Sequence, residues 1–197
     1  MIAMARAAAA GGAVGIRAEG PADVRAISAN LALPLIGLWK IGHDGVYITP
    51  TVPDAVTIAD AGATIVAADA TGRPRPGNGT FADIVTALHD RGTLVMADVA
   101  TVDEGLAAEQ AGADVVSTTL AGYTGDIPGI GPALDLVADL ASRLTVPLIA
   151  EGRIHTPAQA RQALAAGAWA VVVGTAITAP AWITKQFAQA LTGTNPG

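Results

Sequence analysis

The sequence predicts an alternating α/β chain closed into a parallel barrel, and three observations predict it. First, short runs of β-branched and other apolar residues recur at seven places: 14–18, 35–40, 64–69, 93–98, 115–120, 147–152 and 170–174. They are nearly continuous in apolar residues, as parallel strands covered on both faces are. Second, the stretches between them end in one repeated phrase: Gly11-Gly12-Ala13, Ala61-Gly62-Ala63, Ala111-Gly112-Ala113 and Ala166-Gly167-Ala168. Glycine just past a helix end adopts the left-handed conformation and turns the chain directly into the next strand. Third, polar residues close many of the runs: Arg17, Lys40, Asp69, Asp98, Thr119, Glu151 and Thr175. A barrel gathers such ends around one mouth, whereas an open sheet spreads them along an edge. No G-x-G-x-x-G follows the first run, so a dinucleotide site on an open sheet lacks support.

Helices fill the intervals. Residues 53–61 carry Val56, Ile58 and Ala59 at helical spacing, and residues 81–91 carry Ile84, Val85 and Leu88. Residues 101–111 open with Thr101 and Glu104, a capping-box pattern. Residues 156–166 open with Thr156-Pro157, an N-cap followed by proline at the first helical position. A (β/α)8 TIM-type barrel needs eight strands, and seven are readable. Residues 2–10 read as a helix, which in this fold follows a strand. The expectation is one domain over residues 1–197, a TIM-type barrel lacking strand 1, with the edges of strands two and eight exposed.

Composition narrows the function classes. At 197 residues the chain is long enough for one substantial core. Its net charge of −6 and aromatic content of 4% speak against a nucleic-acid partner. The Ala-rich start is too weakly apolar for a signal segment, and no run of about 20 strongly apolar residues suggests a membrane helix. The absence of cysteine removes disulfide and thiolate chemistry and fits a cytoplasmic protein. His43, His89 and His155 have no metal-ligand spacing and read as surface or capping residues, so no metal is expected.

Two phrases carry the strongest local chemistry. Ala150-Glu151-Gly152-Arg153 ends a buried run in a carboxylate, before the helix that opens at Thr156. Val173-Gly174-Thr175-Ala176-Ile177-Thr178 ends another in glycine, before a short helix. These would be strands seven and eight of a full barrel, where phosphate commonly meets backbone N–H groups. Lys40 ends the apolar run Leu38-Trp39-Lys40. Partial desolvation there favours the neutral amine, a base or nucleophile; a lysine at a strand end can equally snorkel to solvent. The loop Arg73-Pro74-Arg75-Pro76 is stiffened by prolines and either faces an anion or is held by structural arginines.

From about residue 11 to residue 191 the chain resembles the N-acetylmannosamine-6-phosphate 2-epimerases, also called N-acylglucosamine-6-phosphate 2-epimerases. The specific phrases are Arg73-Pro74-Arg75-Pro76 and Thr118-Thr119-Leu120-Ala121-Gly122-Tyr123-Thr124, in order with the strand-end phrases above. The resemblance implies inversion at C2 of an N-acylated amino sugar phosphate, a cytoplasmic step in N-acetylmannosamine and sialic acid degradation, without cofactor. It places the catalytic lysine on Lys40 and the catalytic glutamate on Glu151. It implies substrate contacts from Arg17, Asp69, Asp98, Thr119, Tyr123 and Arg153, and a phosphate site at Gly152, Gly174 and Thr175. Asp98 would accept sugar hydroxyls or offset the charge of a nearby lysine. The family carries a substrate-contacting glutamine on its first strand, and an arginine where this chain has Ala179. Loss of such a charge-assisted contact costs roughly 1.5–3 kcal/mol unless a group such as Arg153 replaces it.

Two rival readings remain open to sequence. One is a truncated barrel that binds sugar phosphate with weak or no turnover. The other is an aldolase using Lys40 as a Schiff base, which borohydride would trap. Trp182 and Ile183 near the C-terminal end mark either a homodimer face or a helix packed on the barrel.

Overall fold

The computed structural model describes residues 1–124 and 131–192. Helix α1 (Ile2–Ala10) precedes β1 (Ile16–Glu19), α2 (Pro21–Ser28) and β2 (Leu35–Leu38). Then come α3 (Val52–Asp60), β3 (Ile65–Asp69), α4 (Phe81–His89), β4 (Leu94–Asp98), α5 (Val102–Gln110) and β5 (Val115–Ser117). The series closes with α6 (Leu134–Ala141), β6 (Leu148–Glu151), α7 (Pro157–Ala165), β7 (Ala170–Val172), α8 (Thr175–Thr178) and α9 (Pro180–Thr192). The seven strands pair in sequence order, each parallel to the next. This is a nearly closed TIM-type barrel short of one strand. Among the described residues no strand pairs with the outer edge of β1 or of β7, as the strand count predicts.

The apolar runs are continuous because their two faces serve two cores. Leu35, Val66, Val95 and Leu148 pack outward against helices. Their neighbours Ile36, Ala67, Met96 and Ile149 point into the lumen. Side chains alternate along a strand, so Leu38, Asp69, Asp98, Ser117 and Glu151 share the lumen face with them. Small outward residues let the helices approach closely. A methyl group on Gly37 would come within 2.6 Å of Ile58 on α3.

The helix ends follow the sequence signals. Thr51, Thr80, Thr101 and Thr156 each cap a helix through a reciprocal box with the residue three positions on. At the other ends Gly12, Gly62, Gly112 and Gly167 have φ of 98°, 101°, 96° and 107°. Several predicted bounds need correction. The run 115–120 is strand only to Ser117, and 81–91 is helix only to His89. The run 35–40 leaves the sheet after Leu38, because Trp39 and Lys40 turn into a hairpin in which Lys40 bridges Ile48 antiparallel. Among the described residues no helix is long and apolar enough to cross a membrane.

Candidate active site

Lys40 owes its position to the hairpin. Ile41 N–H donates to Tyr47 O at 2.9 Å, and Thr49 N–H to Trp39 O at 2.7 Å. Thr49 anchors the base: its hydroxyl accepts from Trp39 N–H at 3.1 Å and donates to Ala67 O on β3 at 2.6 Å. Thr49 is fully buried with φ 46°, a conformation that β-branched residues rarely adopt. The strained backbone therefore sits beside the lysine that the sequence singles out.

Across the lumen, Arg17 on β1 reaches two carboxylates. It binds Asp98 through both terminal nitrogens, at 3.1 and 2.6 Å, and Nη1 lies 2.9 Å from Glu151 Oε2. Burial opposes its charge, yet Asp98 and then Glu151 outweigh this and hold the guanidinium above its ordinary range. Glu151 is pushed above the usual carboxylate range by burial. Arg17 opposes that shift, Asp98 adds to it, and Thr119 and Lys40 oppose it. Thr119 Oγ1 lies 2.7 Å from Asp98 and 3.0 Å from Glu151. The hydroxyl of Thr118 joins β6 instead, donating to Glu151 O and accepting from Glu151 N–H.

These groups surround a polar cavity of about 400 Å³ at the carboxyl ends of the strands. Arg17, Lys40, Thr119, Tyr123, Glu151 and Arg153 line it, with Gly152, Gly174 and Thr175 along one wall. Asp69 and Asp98 do not; both are fully buried. Asp98 is engaged by Arg17 and Thr119. Asp69 is raised by burial against the pull of Thr71 and Arg73, which both bond it. Arg75 donates to the carbonyls of Pro50 and Asp69, so the Arg-Pro-Arg-Pro loop follows the structural of its two expected readings. Arg153, at φ 53°, donates to Gly131 O at 2.6 Å and Ala121 O at 2.5 Å, and stands 5.2 Å from the Tyr123 ring centre. It clamps the loops after β5 and β6 together.

The sequence reading missed Tyr47, which lines the cavity, stacks under Arg73 at 5.5 Å and is raised by burial. It also gave His155 no place at the site, yet His155 lines the cavity and tilts against Trp182 at 4.7 Å. Tyr47, on the returning limb of the hairpin just before Ile48, carries no signal before the hairpin is known. Among the described residues no cluster of His, Cys, Asp and Glu has the makings of a metal site.

A parallel barrel with charged and glycine residues around one cavity at its strand ends is a TIM-type barrel of the enzyme class, with its cavity at the end where such barrels hold their active sites. Within that class the chain belongs to the family described as "Putative N-acetylmannosamine-6-phosphate epimerase", whose model matches residues 1–193. A relative from Cutibacterium acnes, named "Putative N-acetylmannosamine-6-phosphate 2-epimerase", is 48% identical over 97% of this chain and 85% of its own. A relative of the same name from Corynebacterium glutamicum is 50% identical over 92% of this chain and 80% of its own. The solved structure of the N-acetylmannosamine-6-phosphate 2-epimerase from Clostridium perfringens superposes with a TM-score of 0.92 at 41% identity, covering 95% of this chain and 83% of that one.

Proposed function

We propose that this chain is an isomerase that inverts C2 of N-acetylmannosamine 6-phosphate to give N-acetylglucosamine 6-phosphate. In the open-chain sugar, C2 lies next to the aldehyde. Its C–H bond breaks on one face, the electron pair is held as an enolate, and a new C–H bond forms on the other face. One group takes the first proton and another delivers the second, so the net proton count is unchanged. Lys40 is the base and Glu151 the acid in this direction, and the roles exchange in reverse.

The observation that carries this reading is that Lys40 and Glu151 line one cavity in a member of the epimerase family. Burial moves the Glu151 carboxyl upward, the direction that suits a proton donor. Arg17 keeps that carboxylate oriented and balances its charge when the proton leaves. The amides of Gly152, Gly174 and Thr175 receive the phosphate, and Tyr123 and Arg153 close the sugar site. The degradative role in N-acetylmannosamine and sialic acid metabolism, in the cytoplasm, belongs to the same proposal and rests on family membership.

The test is C2 proton exchange in D2O, followed by NMR with N-acetylmannosamine 6-phosphate. Conversion to the gluco epimer with deuterium at C2, lost in Lys40→Ala, is expected. A folded chain that neither exchanges nor converts would overturn the assignment.

A further inference from the structure

Asp98 and Glu151 share two donors. Arg17 Nη1 lies 3.1 Å from Asp98 Oδ1 and 2.9 Å from Glu151 Oε2. Thr119 Oγ1 lies 2.7 Å from the same Oδ1 and 3.0 Å from the same Oε2. The four atoms close a ring. Nη1 donates to Asp98 Oδ1 and, at 3.9 Å, to Met96 Sδ, and meets Glu151 as an ion pair, whereas the single Thr119 hydroxyl proton serves one carboxylate at a time. Asp98 has a further bond from Arg17 Nη2 at 2.6 Å, so it needs the hydroxyl less than Glu151 does. Ser117 Oγ, 2.9 Å from Thr119 Oγ1, can donate into the hydroxyl and leave the Thr119 proton free to point at the carboxylates. Among the described residues no group donates to Glu151 Oε1.

We infer that Thr119 is a positioning residue that acts through Glu151: its hydroxyl and the Arg17 charge both meet Oε2, so the proton that Glu151 gains and gives up resides on Oε1. The inference rests on the reading of Glu151 as the acid–base group, and it gives Thr119 a different task from the expected sugar contact. An oxygen that accepts a hydrogen bond and faces a guanidinium is a poor place for a proton of its own. The acid is thereby turned toward the cavity before any substrate enters. The same bond favours the ionised carboxylate and restrains the upward pull of burial on Glu151. The charged groups facing Glu151 are Arg17 from β1, Asp98 from β4 and Lys40 from the hairpin. Tyr47, Tyr123, Arg153 and His155 line the rest of the cavity.

The chain contains four glutamates, so selective 13C labelling of glutamate carboxyls gives a spectrum simple enough to titrate by NMR. Glu151→Gln assigns the Glu151 line. In Thr119→Val the Glu151 midpoint is expected to rise by about one pH unit, because a bond to the charged form is lost. Thr119→Ser restores the hydroxyl and should return the midpoint toward wild type. Thr119→Ala makes the same deletion with a smaller side chain, should valine disturb packing. In turnover, kcat of Thr119→Val should fall about tenfold with KM little changed, and its pH profile should move with the carbon line. An unmoved midpoint in both Thr119→Val and Thr119→Ala overturns the proposal. So does a rise in KM alone, the signature of a sugar contact. The titration needs no turnover, so a wild-type chain that fails to epimerise counts against the function and not against the Thr119–Glu151 contact.

Discussion

Arg17 and Glu151 stand on β1 and β6, strands that are not neighbours in the sheet, yet Nη1 and Oε2 are 2.9 Å apart. With the bond to Asp98 on β4, one guanidinium ties three strands across the lumen. Arg17→Met should leave two carboxylates facing each other without a cation. Breaking a buried pair from one side costs about 3–5 kcal/mol, which urea unfolding would measure. Glu151 should also titrate at higher pH in this variant. Arg17→Lys should recover part of the stability, since it keeps the charge and loses the fork.

Lys40→Ala and Glu151→Gln should fail differently. Removing either partner of a proton transfer costs roughly 10²–10⁴ in rate. Glu151→Gln should still wash C2 deuterium into N-acetylmannosamine 6-phosphate, because Lys40 can remove and return a proton on its own face. Conversion should be absent. Lys40→Ala should abolish exchange from that epimer. If the two variants show the opposite pattern, the acid and base roles are reversed.

Thr49 supports Lys40 through a strained backbone. Thr49→Val leaves Trp39 N–H and Ala67 O without their side-chain partner, at about 1–3 kcal/mol for each buried group. The loss should appear in both thermal stability and kcat. Thr49→Ser should restore most of both. Thr49→Gly relieves the φ of 46° but removes the bonds, so it should match valine in kcat better than in stability.

Glu109 provides a test of pH linkage away from the cavity. The backbone bond from Thr145 is the main cause holding its carboxyl below the usual range, with burial opposing and the Thr145 hydroxyl and Val146 N–H adding support. Its folded pKa is depressed, so its contribution is present above the unfolded value and is lost as pH falls through the folded one. Glu109→Gln should lower the melting temperature by roughly 2–4 °C at neutral pH. The gap should close on acidification below the ordinary glutamate range, as scanning calorimetry across pH would show.

Local signals made most of the fold legible. The glycine phrases and Thr caps located the turns because their causes lie within four residues. Helices α2 and α6 carry weaker signals of the same kind, Gly20-Pro21 with Val24 and Ile27 in one and Leu134, Val137 and Leu140 in the other. The ends of the strands were overrun wherever apolar sequence continues into a loop, as at Trp39 and Leu120. The site was legible as a set of strand ends, since polar residues after apolar runs are a sequence property. Which of them face the cavity was not. Asp69 and Asp98 look like Glu151 in sequence; Asp98 is held by Arg17 from a distant strand, and Asp69 by Arg73 only because the loop between them folds back on the strand end.

The alternation along each strand constrains how this chain can vary in length. Deleting one residue from 94–97 would carry Asp98 into the helix-facing layer and swing Val99 into the lumen, undoing the pairing with Arg17 in one step. The same deletion in the exposed turn at 76–79 would leave every strand in frame. Point substitution can adjust the chemistry of the mouth one side chain at a time, while gains and losses of sequence are confined to the connections, whatever their benefit elsewhere.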